Sequence, residues 1–131
     1  MIGLDTNVLA RFLTQDDPEQ SARANALLES ECSSSDPGYV SVVVLCELVW
    51  VLRGAYRYEK TLVVAVLERL LEAAELYLED EDIVRRALNA YQYGKADFAD
   101  YIIACRNEMV GCEVTYSFDQ KLTEYPGVCQ P

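Results

Sequence analysis

Histidine is absent from all 131 residues. The side chain most often used for proton transfer near neutral pH is therefore missing, and with it every Ser-His-Asp or Cys-His catalytic arrangement. The five cysteines, Cys32, Cys46, Cys105, Cys112 and Cys129, are odd in number, form no CxxC pair and have no histidine with which to complete a zinc shell. Reduced structural thiols are the expectation. Positive charge is scarce as well, with 11 Lys and Arg against 22 Asp and Glu and a net charge of −11. So acidic a chain does not hold nucleic acid by counterion release across a basic face. An RNA or DNA substrate would need its charge neutralised locally.

Long apolar runs are missing too. The longest stretch, residues 42–52, is interrupted by Glu47 and is far too short to span a bilayer. Residues 1–13 carry no basic n-region, no extended apolar segment and no small-residue cleavage site, so a soluble, cytoplasmic protein with no membrane association is expected. Repeats and low-complexity linkers are also absent. The length suits one domain over residues 1–131, with roughly two-thirds of its unfolded surface buried.

What is present alternates short apolar strands with helices. Ile2 and Leu4 open a strand, and residues 6–13 follow as a helix with Val8, Leu9, Phe12 and Leu13 at helical spacing. "QDDPEQ" starts the next helix, Asp17 at the N-cap and Pro18 in the first helical position. After the loop "SSSDPG", the segment "YVSVVV" is a strand that hands over near Ser41 to a helix carrying Leu45, Leu48, Val49 and Leu52, ended by Gly54. Residues 59–73 form an amphipathic helix with Leu62, Val66, Leu67, Leu70 and Leu71 on one side. "ELYLE" alternates like a strand, residues 80–91 form a helix opened by acids that suit its positive end, and residues 100–109 form another. "CEVTYS" is a strand and "FDQKL" a turn into a short helix. This alternation predicts an α/β domain whose mostly parallel sheet is covered on both faces. The acidic stretch 72–82 is expected to be a solvated face.

Several acids stand where an acid is expensive or exposed to ligands. Glu47 is the one charge in residues 42–52; burying it unpaired costs several kcal/mol, so it should be paired, metal-bound or at a cleft, the alternative being a helix's solvent edge. Asp5 closes the first strand, and in open parallel sheets ligands gather outside the carboxyl ends of strands; helix capping is the competing explanation. Asp119 follows the strand ending at Tyr116 in the same manner. Asp97 and Asp100, three residues apart, share a helix face or form a cap and first-turn pair. Carboxylates converging at one sheet edge would repel one another without a divalent cation among them. Oxygen-only donors suit Mg²⁺ or Mn²⁺, which would polarise a phosphodiester and activate water.

Five motifs in order, "GLDTNVLARFL", "DDPEQ", "VSVVVLCELVWVLR", "KADFADYIIA" and "YSFDQKL", resemble the PIN-domain ribonucleases of the VapC toxin type along essentially the whole chain. The resemblance implies a three-layer α/β/α domain around a central, mostly parallel five-stranded sheet. It places the family's four acids on Asp5, Glu47, Asp100 and Asp119, with Asp97 as an additional one, and matches Thr6, Asn7 and Ser117 to supporting polar positions, Ser117 where threonine is commoner. By that resemblance these acids bind Mg²⁺ or Mn²⁺ and cleave RNA, the chain forms a homodimer, and a small antitoxin with a basic tail blocks the site. Trp50, Tyr56 and Tyr58 cluster at the end of the Glu47 helix, as core or as a partner groove. Arg11, Arg53, Arg57, Lys95 and Lys121 are candidates to frame the pocket. A non-catalytic PIN-like module binding RNA or protein is the competing function. A phosphotransfer domain fits worse, because Asn7 stands where a DxD motif needs its second acid and no acid pair accompanies Asp5.

Overall fold

The apolar strand segments do pair, but in runs of only two or three residues. A computed structural model describes Met1–Pro131, with strands Ile2–Gly3 (β1), Gly38–Val40 (β2), Leu76–Leu78 (β3), Thr115–Tyr116 (β4) and Val128–Cys129 (β5). The helices are Thr6–Thr14 (α1), Pro18–Glu31 (α2), Val42–Gly54 (α3), Lys60–Glu72 (α4), Glu81–Tyr93 (α5) and Phe98–Met109 (α6), with a short 3-10 turn at Leu122–Glu124. None is long and apolar enough to cross a membrane.

The chain divides into two compact units, Met1–Glu79 and Asp80–Pro131. In the first, β1, β2 and β3 lie side by side in that order, all parallel, with Ile2 opposite Gly38 and Gly38 opposite Leu76. Each crossover is helical, as parallel pairing requires. α1 packs against α2 and α3, α3 against α4, and α4 on β3. Leu9, Val40, Leu45, Leu48, Leu52, Val63 and Leu67 are fully buried there. Gly38 is glycine for a reason of space: a Cβ at this position would stand 2.8 Å from both Cys32 Sγ and Leu4 Cδ1. In the second unit α5 packs on α6, and β4 pairs parallel with β5. The five implied strands are thus all present and every pairing is parallel, with the hydrogen bonding divided into a set of three and a set of two.

Two expectations need correction. On α4 the buried residues are Val63, Val64, Leu67 and Leu70, whereas Leu62 is exposed; the stripe is rotated by one residue because valine at 63 and 64 serves the core as well as leucine does. The strand expected over "CEVTYS" shrinks to Thr115–Tyr116, because its partner β5 offers only two residues to pair with. All five cysteines are free thiols, Cys32 and Cys105 buried among them.

Candidate functional site

Three parallel strands of the first unit end at one edge, and each is followed by a polar residue: Asp5 two residues after β1, Ser41 after β2, Glu79 after β3. Asp5 occupies the N-cap position of α1 with extended backbone, yet its side chain makes no capping bond. The carboxylate is exposed and not spent on the helix. Thr6, next in sequence, is 5% exposed, and its hydroxyl is the one buried side-chain polar atom without a partner. Asn7 is exposed on the first turn of α1. Ser41 caps α3, its Oγ accepting the Val44 N–H at 3.2 Å.

Glu47 lies five residues beyond the start of α3 and is exposed. This corrects the premise that it is a buried charge. Val43, Glu47 and Trp50 fall at i, i+4 and i+7, so they form one outward stripe, with Val43 66% and Trp50 59% exposed. Leu45, Leu48 and Leu52 take the core side. Glu79, counted in the sequence as part of a solvated acidic face, is half-buried and accepts the Val42 N–H at 2.9 Å through Oε1. It anchors the N-terminus of α3 with a negative charge where the helix end is positive. The signal that finds it is the rule that singled out Asp5: an acid directly after a strand.

In the second unit Asp97 is the N-cap of α6 and Asp100 sits in its first turn. The Asp97 N–H donates to Asp100 Oδ2 at 3.3 Å. Asp100 is half-buried, and its carboxyl is pushed above the ordinary range, first by desolvation and then by the negative charges of Asp97 and Asp119, against the lowering effect of the Asp97 N–H. Asp119 ends the segment after β4. Its N–H donates to Ser117 Oγ at 3.0 Å, and its Oδ1 accepts the Lys121 N–H at 2.9 Å. Ser117 therefore shapes the turn that presents Asp119, and one carboxylate oxygen of Asp119 serves that turn while Oδ2 has no partner.

The candidate cations are mostly engaged. Arg11 bonds Gln20, Asp16 and Tyr56, Arg53 bonds the Tyr58 carbonyl, and Lys95 lies 3.9 Å from Glu124. The Lys121 and Arg57 side chains are exposed. The aromatic trio divides: Tyr56 and Tyr58 pack with ring centroids 6.1 Å apart, while Trp50 points to solvent.

The donor chemistry suits a hard divalent cation, since carboxylates are the only ligating side chains at these positions. The Asp100 carboxyl is raised mainly by its own burial, with the charges of Asp97 and Asp119 adding to it. A coordination shell is not assembled, however: no three acidic or thiol side chains gather closely enough to hold a metal ion.

The PIN domain family model matches residues 2–128. A curated relative, a VapC ribonuclease of Aquifex aeolicus (strain VF5), is 25% identical over 118 residues, covering 90% of this chain and 87% of the relative. With strands and helices in alternation, parallel pairing throughout and acids after the strand ends, the chain belongs to the PIN domain family.

Proposed function

We propose that this protein is a Mg²⁺- or Mn²⁺-dependent endoribonuclease, the toxin of a toxin-antitoxin pair, built as a single PIN domain over residues 1–131. The observation that carries the proposal is Asp5: a carboxylate at the end of a parallel strand, exposed and unused by its own helix, in a chain similar to a VapC ribonuclease. Asp5, Glu47, Asp100 and Asp119, with Asp97 beside them, would hold the cation. When bound, it would polarise the phosphodiester and lower the pKa of a water molecule. Asp100 keeps Oδ2 on the Asp97 N–H, which leaves Oδ1 free to reach the cation. Ser117 holds the Asp119 turn in place. Thr6 and Asn7, which follow Asp5 in the chain, would serve as supporting polar groups. A cytoplasmic setting, a homodimer and a small antitoxin with a basic tail complete the proposal; the net charge of −11 suits such a tail, and the exposed Trp50 and Val43 give it an apolar anchor.

One observation favours a second reading, a PIN-like module that binds RNA or protein without cutting: the acids are not gathered into a metal-holding group. Cleavage of single-stranded RNA by the purified protein separates the two. We expect cleavage with Mg²⁺ or Mn²⁺, none in EDTA, and at least a 100-fold loss in Asp5→Asn with an unchanged circular dichroism spectrum. Cleavage surviving EDTA or Asp5→Asn defeats the metal-dependent mechanism through Asp5, and tight divalent binding by calorimetry without turnover establishes the module.

A further inference from the structure

The second unit contains a cavity of about 430 Å³ that the acids do not use. Its walls come from α5, α6 and the segment after the 3-10 turn, and the residues that define it are Arg86, Asn89, Tyr93, Gly94, Tyr101 and Tyr125. The volume lies within the ~300–1,000 Å³ range of small-ligand sites. Three of the six are tyrosines. Tyr101 and Tyr125 meet edge to face, centroids 5.6 Å apart at 69°, and Tyr101 is locked from behind by the Ala96 N–H on its hydroxyl at 3.2 Å. Gly94 is required by this floor, because a Cβ there would collide with the Tyr101 hydroxyl and stand 2.8 Å from the Ala90 carbonyl oxygen.

Tyr93 stands at the rim and is 79% exposed. A tyrosine left so open at the end of a helix covers no core. Asn89 is exposed on the same helix with no hydrogen-bond partner, so both its amide donor and its acceptor are available. Arg86, on the cavity wall, donates through Nη2 to Glu108 Oε2 at 2.7 Å, an exposed pair. Aromatic faces, one free amide and one planar guanidinium are the groups that recognise a nucleobase by stacking and edge hydrogen bonds. A phosphate is disfavoured at the same rim, where Glu124 lies.

We infer that this cavity receives an unpaired nucleobase of a single-stranded RNA, with Tyr93 as the stacking face and Asn89 as the hydrogen-bonding edge. The inference rests on the nucleic-acid part of the function proposed above and deepens it by naming the substrate form. Placement supports it: Gly94 on the cavity floor precedes the Asp97 cap by three residues, a backbone reach of at most roughly 10 Å, or about three stacked nucleotide steps. A base held here brings a nearby phosphodiester of the same strand to the acids of α6. Charge supports it as well. With net charge −11 the chain has little to offer a phosphate backbone, so base contacts carry the larger part of its affinity for RNA.

The test is fluorescence anisotropy on the full chain in EDTA, where cleavage is silent. The probes are a short labelled single-stranded oligoribonucleotide of mixed sequence, the same strand annealed to its complement, and an abasic ribose-phosphate strand of equal length. Tyr93→Ala, at an exposed position, should weaken single-strand binding about 5- to 150-fold, the equivalent of ~1–3 kcal/mol for one lost stack. Tyr93→Phe should retain it, and the duplex and abasic strand should bind weakly to both proteins. Single-strand affinity unchanged in Tyr93→Ala, equal losses in the alanine and phenylalanine variants, or a wild-type protein that binds the abasic strand or no RNA at all would overturn the inference. Cleavage by the wild type with Mg²⁺ is scored separately: cleavage with Tyr93-independent binding removes this subsite alone, and Tyr93-dependent binding without cleavage removes the nuclease alone.

Discussion

Tyr56 donates its hydroxyl proton to Asp16 at 2.7 Å and accepts one from Arg11 at 2.7 Å, so a residue beyond α3 is tied to the link between α1 and α2. The Tyr56 hydrogen bond is the main reason that the Asp16 carboxyl is held below its usual value of 3.8, with Thr14 and the Arg11 guanidinium adding to it. A carboxylate whose pKa is depressed by folding stabilises the native state at pH above its unfolded value, and that contribution disappears as pH falls through the folded one. Tyr56→Phe should therefore be less stable than wild type near neutrality, and the gap should narrow as the pH drops below about 4. Urea unfolding across that range measures it; a gap that widens on acidification would contradict the assignment. The same scale shows what single residues reveal in a sequence. Asp5, Asp97 and Asp100 were readable from their places beside a strand end or a helix start. Glu47 was not, because Val43 and Trp50 put apolar side chains on the exposed stripe and disguised an outward face as a buried run.

Among elements, α3 has its first turn held from two directions. Its leading N–H groups are met by Ser41 Oγ and by the Glu79 carboxylate, one local and one from 37 residues away. We expect Ser41→Ala to cost ~1 kcal/mol and Glu79→Ala to cost about 1–3 kcal/mol, the larger because it leaves a donor unpaired at the positive end of a helix. Both should appear as lower urea midpoints with unchanged slopes. Caps made the helices legible: Asp17 takes the Gln20 N–H at 2.9 Å as its position before Pro18 implies. The strands were harder. β5, two residues long, carries no period to detect, and β4 could not be trimmed from its flanks without knowing how short its partner is. Glu79 was hidden by company, one acid among several whose neighbours are solvated.

For the molecule as a whole, the balance of charge separates binding from chemistry. Few free cations face solvent, so RNA affinity should depend only weakly on salt: with about two phosphate contacts, the slope of log K against log salt for a single strand would be near −1.4. A titration of binding from low to moderate ionic strength checks this, and a steep slope would require a basic surface that the composition denies. The parallel pair β4–β5 has a different bearing. Parallel strands ordinarily need a helical crossover, but here residues 117–127, with one 3-10 turn, make the connection. The Ser117 N–H is fastened to the Cys129 carbonyl at 2.9 Å, and the Thr115 N–H to that of Gly127 at 2.9 Å. The turn that presents Asp119 is thus latched by Gly127 and Cys129, the residues that bracket Val128 in β5. Loss of the β5 pairing would slacken that turn while every acid remained in place, so the protein could be disarmed at β5 rather than by any change to its acids.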